Sequence, residues 1–402
     1  MLDFGTAWAG PQVGQVLADM GMEVIKVETR TRLDGSRMGR PIGSTDSAGG
    51  DEGKWPDLQP IFHGINRNKR GFTIDLKQPR SRPIIEELIK ISDVVLDNSS
   101  PGTMADLKLD HPCLKIIKSD IISISLTGCG EDGPLRDVLV YAPLIAAHGG
   151  LQSLIGYPDS TTPMQVMFAY GDCNASMHGV FAVLSALWHR EKTGEGQHID
   201  LAESYAITNL LGEGVMDYVM NGRNKEPQGN RHPYMCPHNA YRCQGEDKWV
   251  TIAVKTDEEW SSLCRAMGHP ELTTQEKFAS TKNRLANQEE LDSLITAWTI
   301  NYTPIEVTNS LQAAEVAATP VMNIEEQYSD PHYEARGTYE MVEHPLVGAE
   351  LIYAPPLKFS KTPGDIRRHA PSLGEDNDYV LCELLGFSPE ESRQLQEDKV
   401  IY

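Results

Sequence analysis

The sequence predicts an α/β protein whose larger domain is a Rossmann-like, doubly wound parallel sheet. Three observations support this prediction. The first thirty residues read as strand, glycine turn, helix and strand, the same alternation continues to about residue 126, and the strands are short apolar runs between helices of 3.6-residue periodicity. Such alternation is typical of the crossover units that build a parallel sheet.

The elements of this domain follow one another closely. The first helix, Ala9 to Met20, carries apolar residues at helical spacing, and Gly21 stands where a C-cap glycine belongs. A further amphipathic stretch runs through Ile84 to Ile91. The predicted strands are 2–4, 22–28, 72–76, 93–97 and 121–126.

A long amphipathic helix is predicted to start directly after Asp172 and to end at Lys192 and Gly194, and the strand HIDLAES follows it. We therefore assign residues 1–221 to the large domain. A smaller α+β domain is predicted for 222–320, because a loop-rich stretch leads there into the strand WVTIAV and a capping box at Thr256–Glu259. Residues 321–402 are predicted to form an extended, Pro- and Gly-rich return segment, followed by the C-terminal part of the large domain with a helix capped at Ser388.

Composition narrows the function classes. The chain has 402 residues and a formal net charge of −21, so a nucleic-acid partner or an anionic membrane surface is not expected. No window approaches the ~18 uninterrupted apolar residues of a membrane span. Seven cysteines without a regular framework indicate reduced thiols and a cytoplasmic location.

Basic residues gather near the start of the chain. Residues 26–82 hold twelve Lys and Arg against seven acids, which suits a phosphorylated ligand at the strand ends, although a solvated surface explains the same residues. The turn GTAWAGP, which includes Gly10, could bring amide groups to a phosphate. It is not a GxGxxG motif, and its spacing argues against a dinucleotide.

Two further sets of residues leave alternatives open. His232, Cys236, His238 and Cys243 lie within twelve residues, but their spacing matches no usual zinc motif, so a structural loop without metal is favoured. From the residues alone, Asp172 is either an ordinary helix N-cap or a carboxylate fixed for nucleophilic attack.

Seven segments in order resemble the type III CoA-transferase (CaiB/BaiF) family. This resemblance implies an acyl-CoA:carboxylate CoA-transferase that acts through aspartyl anhydride and aspartyl-CoA thioester intermediates, with coenzyme A as co-substrate and no metal. Asp172 takes the place of the family's nucleophile. The segments are DFGTAWAGPQVGQVLADMGMEVIKVE, NRNKRGFTIDLK, SISLTGCGEDGPLRD, YGDCNASMHGVFAVLSALWHREKTGEGQHIDLAES, VEHPLVG, FSKTPGDIRRHAPSLGEDN and LLGFSPEE.

The resemblance also implies residues for both substrates. CoA phosphates are expected near the first strand ends, with contacts from Arg30, Arg37, Lys69, Arg70 and Gly10. An aromatic pocket of Trp8, Tyr141, Phe168 and Tyr170 suggests a bulky acid paired with succinyl-CoA, as in a benzylsuccinate-type transferase, although core packing explains the same residues. The loop 98–102 reads NSSPG where many relatives have NFRPG, so an arginine near CoA is missing.

Members of the family form interlocked dimers, so a homodimer or a heterodimer with a paralogous subunit is implied. One alternative to a catalytic chain is a non-catalytic, CoA-binding partner subunit. The presence of Asp172 argues against this alternative. The other is a 2-methylacyl-CoA racemase, whose histidine is replaced here by Tyr141. Two departures remain: the region near Gly229 lacks the family's glycine run, and the chain starts several residues later than relatives, which suggests an incomplete start.

Overall fold

The computed structural model describes residues 1–39, 52–167 and 169–402. These residues divide into two compact units. The first unit comprises 1–151, 165–223 and 334–402, and the second comprises 152–164 and 224–333. The second unit thus extends past residue 320, because β9 (Ala317–Pro320) pairs with β8 (Trp249–Ala253) and Lys248 Nζ lies 2.6 Å from Glu326 Oε1 in the following segment.

The first unit contains a parallel sheet with the order β3-β2-β1-β4-β5-β6 among the described residues, which confirms the doubly wound prediction. β1 lies between β2 and β4, so the strand order reverses there; Leu2 pairs with both Ile25 and Val95. In doubly wound sheets ligands bind outside the carboxyl ends of the strands at this reversal. The strands are β1 (Leu2–Asp3), β2 (Ile25–Glu28), β3 (Arg70–Thr73), β4 (Val94–Asp97), β5 (Ile122–Thr127) and β6 (His198–Ala202).

Helices connect the strands of this sheet. α1 and α7 pack closely against each other at Gly179, where an added Cβ would lie 2.8 Å from Val13 Cγ2. α7 ends at Gly194, whose φ of +77° suits a glycine C-cap as predicted. The helices before the second unit are α1 (Ala9–Asp19), α2 (Pro60–Asn66), α3 (Ser81–Ile91), α4 (Thr103–Asp106), α5 (His111–Ile117), α6 (Ala142–His148), α7 (Tyr170–Thr193), α8 (Glu203–Thr208) and α9 (Gly212–Asn221).

Buried ion pairs hold the turn between β1 and α1. Lys69 Nζ lies 2.7 Å from Asp3 Oδ2, and both side chains are fully buried. Lys26 Nζ lies 2.8 Å from Asp34 Oδ2, and the other oxygen of Asp34 accepts from the Ala7 amide at 2.9 Å. Burial acts to raise the pKa of Asp34, but the Lys26 ammonium and the Ser36 hydrogen bonds outweigh it and leave that pKa below its usual value. Lys26 belongs to β2 and Lys69 directly precedes β3, so these ion pairs hold the turn against both strands.

The second unit is built on an antiparallel sheet of order β7-β8-β9 with helices packed around Trp260. Thr256 and Glu259 form the predicted capping box, since each side chain accepts from the other residue's amide. No described helix of either unit is both long and apolar enough to cross a membrane. The elements are β7 (His238–Arg242), β8, β9, α10 (Asp257–Ala266), α11 (Thr281–Ala286), α12 (Gln288–Thr299), α13 (Pro304–Ala313) and α14 (Ile324–Tyr328).

The C-terminal part is more regular than predicted. Instead of one extended crossing, the chain forms α15 (Pro331–Arg336), the hairpin β10 (Tyr339–His344) and β11 (Gly348–Tyr353), and later α16 (Pro389–Glu397) with the predicted cap at Ser388. Asp376 and Asn377 accept from the Gly71 and Thr73 amides at 2.8 and 2.9 Å. These bonds satisfy the free edge of β3, which would otherwise expose unpaired amides.

Replacing Lys69 should test the buried pairs. We expect Lys69→Met to lower the free energy of unfolding by about 3–5 kcal/mol, because Asp3 would remain as a buried charge without its partner. Equilibrium urea unfolding measures this loss. The matched control is Lys90→Met, since Lys90 and its partner Glu87 are half exposed, and its unfolding midpoint should barely move. Equal effects of the two substitutions would contradict the argument.

Candidate active site

Asp172 lies in the first turn of α7, at the carboxyl end of the sheet. The helix begins at Tyr170, three residues earlier than predicted, so Asp172 is the third helical residue and not a residue in front of the helix. A carboxylate in a first turn faces the positive end of the helix dipole and the free amides there. The side chain is half-buried and therefore accessible.

A buried serine ties this turn to the start of α1. The Ser176 hydroxyl lies 2.6 Å from the Asp172 carbonyl oxygen and 2.9 Å from the Ala9 carbonyl oxygen. Because the β1–α1 turn is itself held by buried ion pairs, Ala9 and Asp172 keep a fixed relation. The Ala9 amide acts on the Asp172 carboxylate and lowers its pKa.

Burial raises the pKa of Asp172 to about 6, against the opposing effect of the amides of Asp172 itself and Ala9. At pH 7 the group is therefore about nine-tenths ionised. It is a poorly solvated anion, which makes it more reactive than a carboxylate in water. The arrangement suits nucleophilic attack by Asp172.

A second carboxyl group, which we did not predict from the sequence, lies at the start of α8, and α8 packs against α7. Glu203 is the first residue of α8, directly after β6, and is 5% exposed. Burial, together with the Asp172 charge, raises the pKa of Glu203 to about 8. The sequence carries one weak signal for it, namely an acid directly after an apolar strand at the edge where ligands bind.

The predicted phosphate contacts fall into two groups. Arg37 and Lys69 are 1% and 0% exposed. Arg37 pairs with Glu28 and Asp57, both at 2.8 Å, and donates to the Pro371 carbonyl oxygen at 2.8 Å. These two cations already have carboxylate partners in the interior, so the structure argues against their predicted role as phosphate ligands.

Arg30 and Arg70 are reachable. Arg30 follows β2, is exposed and forms no ion pair within the described part of the chain. The Arg70 side chain is about one-third exposed and lies over the Tyr379 ring, 3.1 Å from Asp376. Gly10 lies in the first turn of α1, where an added Cβ would be 3.0 Å from Gly5 Cα and 3.1 Å from Asn98 Oδ1. Gly10 therefore permits the close approach of α1 to the ends of β1 and β4.

The loops after β1 and β4 meet at the reversal of the strand order. Asn98 accepts from the Thr6 amide at 2.7 Å and donates to the Thr6 carbonyl oxygen at 2.9 Å. Both residues are exposed or half-exposed, and α1 starts directly above them. This is where a doubly wound sheet offers its ligand crevice.

The structure describes three of the four residues predicted to form an aromatic pocket. Trp8 is half-buried, and its Nε1 donates to Gln12 Oε1 at 3.0 Å. Tyr141 is 77% exposed at the start of α6, Tyr170 opens α7, and Phe168 lies outside the described residues. Whether these residues contact a substrate stays a prediction.

The residues considered for zinc do not converge. Cys236 and Cys243 lie in the apolar core of the second unit, whereas His238 Nδ1 lies 2.6 Å from the Asn230 carbonyl oxygen, outside that core. Among the described residues no group of three or more His, Cys, Asp or Glu side chains could hold a metal ion.

Comparison with known proteins identifies the family. The model of CoA-transferase family III matches residues 1–377. The chain belongs to this family. It is therefore a CoA-transferase, as the resemblance of its motifs implied, and CoA thioesters are its substrates.

Three relatives illustrate the similarity. A succinyl-CoA–D-citramalate CoA-transferase of Chloroflexus aurantiacus is 33% identical, over 100% of this chain and 96% of its own length. The alpha subunit of a succinyl-CoA–L-malate CoA-transferase of Chloroflexus aurantiacus is 31% identical, over 100% of this chain and 91% of its own length. The crystal structure of a CaiB/BaiF family protein from Brucella suis superposes with a TM-score of 0.84 at 29% identity, covering 95% of this chain and 97% of that one.

The raised pKa of Asp172 has a consequence for stability. In the unfolded chain the pKa of an aspartate is about 3.9. Ionisation of Asp172 therefore lowers the free energy of unfolding, and this loss grows between about pH 4 and pH 6 and stays constant at higher pH. We expect Asp172→Asn to raise the free energy of unfolding by about 1–3 kcal/mol at pH 8 and not at pH 4. Urea unfolding at both pH values measures this difference.

Asp106→Asn is the matched control, because Asp106 is an exposed acid in the first turn of α4. It should show no such pH-dependent gain. A gain for Asp172→Asn that is equal at pH 4 and pH 8, or a loss at pH 8, would contradict the raised pKa.

Proposed function

We propose that this protein transfers CoA from succinyl-CoA to a second short dicarboxylic acid, with Asp172 as the covalent nucleophile. The observation that carries the proposal is the half-buried Asp172 carboxylate in the first turn of α7, with a pKa of about 6 and the Ala9 amide beside it. This group is ionised at neutral pH, accessible and poorly solvated, which are the properties that a carboxylate nucleophile needs.

The reaction proceeds in two symmetrical halves. An oxygen of Asp172 attacks the thioester carbonyl of succinyl-CoA, the C–S bond breaks, and a mixed anhydride and CoA thiolate result. The thiolate attacks the aspartyl carbonyl and releases succinate, which leaves an aspartyl-CoA thioester. The acceptor carboxylate then attacks this thioester, and the returning thiolate attacks the acceptor carbonyl of the new anhydride, which yields the new acyl-CoA and free Asp172.

Backbone amides stabilise the charges that develop in these steps. Each attack on a carbonyl produces a tetrahedral oxyanion, which amide donors of fixed position stabilise. The free amides in the first turn of α7 and the Ala9 amide lie beside Asp172. These donors are fixed before the reaction, because Ser176 and the buried ion pairs hold both helix starts.

The names of the relatives favour a short dicarboxylate as acceptor. D-Citramalate and L-malate, the acids of the two Chloroflexus aurantiacus enzymes, are short, hydroxylated and aliphatic. The comparisons do not support the predicted aryl-substituted acid of the benzylsuccinate type. We therefore propose an acceptor of the malate or citramalate class.

CoA is proposed to lie across the reversal of the strand order. Its thioester would meet Asp172 beside the starts of α1 and α7, and its phosphates would meet an exposed cation that follows β2. Arg30 suits this role, since Arg37 and Lys69 are held by carboxylates in the interior. Arg70 does not suit it, because it opens β3 at the amino end of the sheet and lies 3.1 Å from Asp376.

The protein is proposed to act as the catalytic subunit of a dimer, either with a second copy or with a paralogous chain. The alpha-subunit relative is part of a heteromeric enzyme by its name. Asp172 with an accessible carboxylate supports a catalytic subunit over a non-catalytic partner. No observation on this chain favours the racemase alternative, which would need a histidine at position 141.

Covalent trapping tests the proposal. The protein is mixed with succinyl-CoA, quenched with hydroxylamine or borohydride, and analysed by intact mass and peptide mapping. We expect modification of Asp172 in the wild type and none in Asp172→Asn, whose amide is a poor nucleophile. Turnover with L-malate should fall at least 10³-fold in that variant, because covalent catalysis is removed.

Asp106→Asn serves again as control and should be modified at Asp172 like the wild type. A variant Asp172→Asn that retains turnover would reject the nucleophile. Modification of wild-type Asp172 by other acyl-CoA donors, without any by succinyl-CoA, would retain the reaction class and reject the proposed donor.

A further inference from the structure

Three histidines from distant parts of the chain meet beside the hairpin of β10 and β11. The ring of His63, on α2, stacks on the ring of His344, at the end of β10, with 4.4 Å between the ring centroids. The ring of His369 meets that of His344 edge to face at 4.9 Å. His63 and His344 are 3% and 2% exposed. The proposed reaction uses none of these rings, so the cluster needs another explanation.

The hydrogen bonds of His344 require a neutral ring. Its Nδ1 accepts from the amides of Leu346 and Val347 at 3.2 and 3.4 Å, and these bonds fix the turn between β10 and β11. A nitrogen that accepts carries no hydrogen, so the ring hydrogen is on Nε2. Nε2 is buried and has no hydrogen-bond partner among the described residues, so no acceptor is placed to stabilise a cation. Protonation of Nδ1 would turn both bonds into contacts between donors.

The partners of His63 impose the opposite requirement. Its Nδ1 lies 2.7 Å from Glu350 Oε2 on β11, and its Nε2 lies 3.0 Å from the Asp57 carbonyl oxygen. The carboxylate and the carbonyl group both accept, so His63 donates from both nitrogens, which only the imidazolium does. The resulting ion pair holds β11 against α2. The Tyr353 hydroxyl adds a bond to the Gly64 carbonyl oxygen at 2.7 Å.

The two stacked rings therefore accommodate one positive charge and not two. A proton on His344 would place two cations in contact at a buried position and would break the bonds of the hairpin turn. Burial, together with the charges of His63 and His369, lowers the pKa of His344 to about 4. The other charged groups around the cluster are Glu350 on β11, Asp57 in front of α2 with its partner Arg37, and Glu375, which lies 3.5 Å from His369 Nε2.

We propose that His63 and His344 form an acid-sensitive latch, which holds the hairpin of β10 and β11 against α2 while His344 is neutral and releases it when His344 takes up a proton. In an opened hairpin the ring is solvated, and its pKa returns to about 6.5. The opened state then binds one proton more than the docked state between about pH 6.5 and pH 4. The stability of docking is therefore complete above this range and is lost as the pH falls through it.

Hydrogen–deuterium exchange of His344→Asn tests the latch, because the side-chain oxygen of asparagine replaces Nδ1 as acceptor and takes up no proton. The quantity measured is the ratio of wild-type to variant protection for the amides of residues 339–343 and 349–353, at pH 7 and at pH 5. Intrinsic exchange rates cancel, since both proteins are compared at the same pH. We expect the ratio to be at least about tenfold lower at pH 5, because only the opened wild type gains the proton.

His332→Asn is the matched control, because His332 is exposed on α15. The ratio of wild-type to control protection should not change with pH.

A second measurement uses the wild type alone. From pH 7 to pH 5 the protection of the hairpin amides, corrected for intrinsic exchange, should fall relative to that of β8 in the other unit, a strand that contains no histidine. Hairpin protection that does not change with pH, or an equal loss in the wild type and in His344→Asn, would overturn the inference. Neither measurement needs a substrate, so the outcome is independent of the proposed CoA transfer.

Discussion

The site depends on one constraint, which is that Asp172 must be withdrawn from water and yet remain an anion. Burial and ionisation oppose each other, and the pKa of about 6 is the balance between them. Deeper burial without donors would leave the group neutral at working pH, whereas full exposure would give an ordinary, weakly reactive carboxylate. The first turn of α7 and the Ala9 amide provide the compromise. They offer amide dipoles, and within the described part of the chain no cation pairs with the proposed nucleophile.

This balance requires that the first turns of α1 and α7 keep fixed positions relative to each other. Buried ion pairs fix the position of the β1–α1 turn. Lys69 with Asp3 and Lys26 with Asp34 lie beneath the β1–α1 turn, and Asp34 also binds the Ala7 amide, whose residue has a φ of +61°. Apolar residues of similar volume would often be as stable as such pairs. Directional bonds, however, specify one conformation of the turn, and that conformation places Ala9 beside Asp172.

The sequence predicted the features that local chemistry determines, and failed where tertiary partners decide. The parallel sheet, the C-cap at Gly194 and the capping box at Thr256 follow from periodicity and short-range hydrogen bonds. A cluster of cations does not reveal whether its partners are phosphates or buried carboxylates, so Arg37 and Lys69 were assigned to CoA although they are interior residues. Glu203 could not be found in this way, because periodicity does not show that α8 packs against α7.

The positive charge available to anionic substrates is smaller than the composition of residues 26–82 suggests. Lys26, Arg37, Arg67 and Lys69 are all buried against carboxylates, so they add little to the field outside the sheet, while the whole chain has a net charge of −21. Selectivity for CoA and for the proposed dicarboxylate would then come from short-range donors. Backbone amides at helix starts suit this, since they attract an anion without carrying a charge that the protein must neutralise when the substrate leaves.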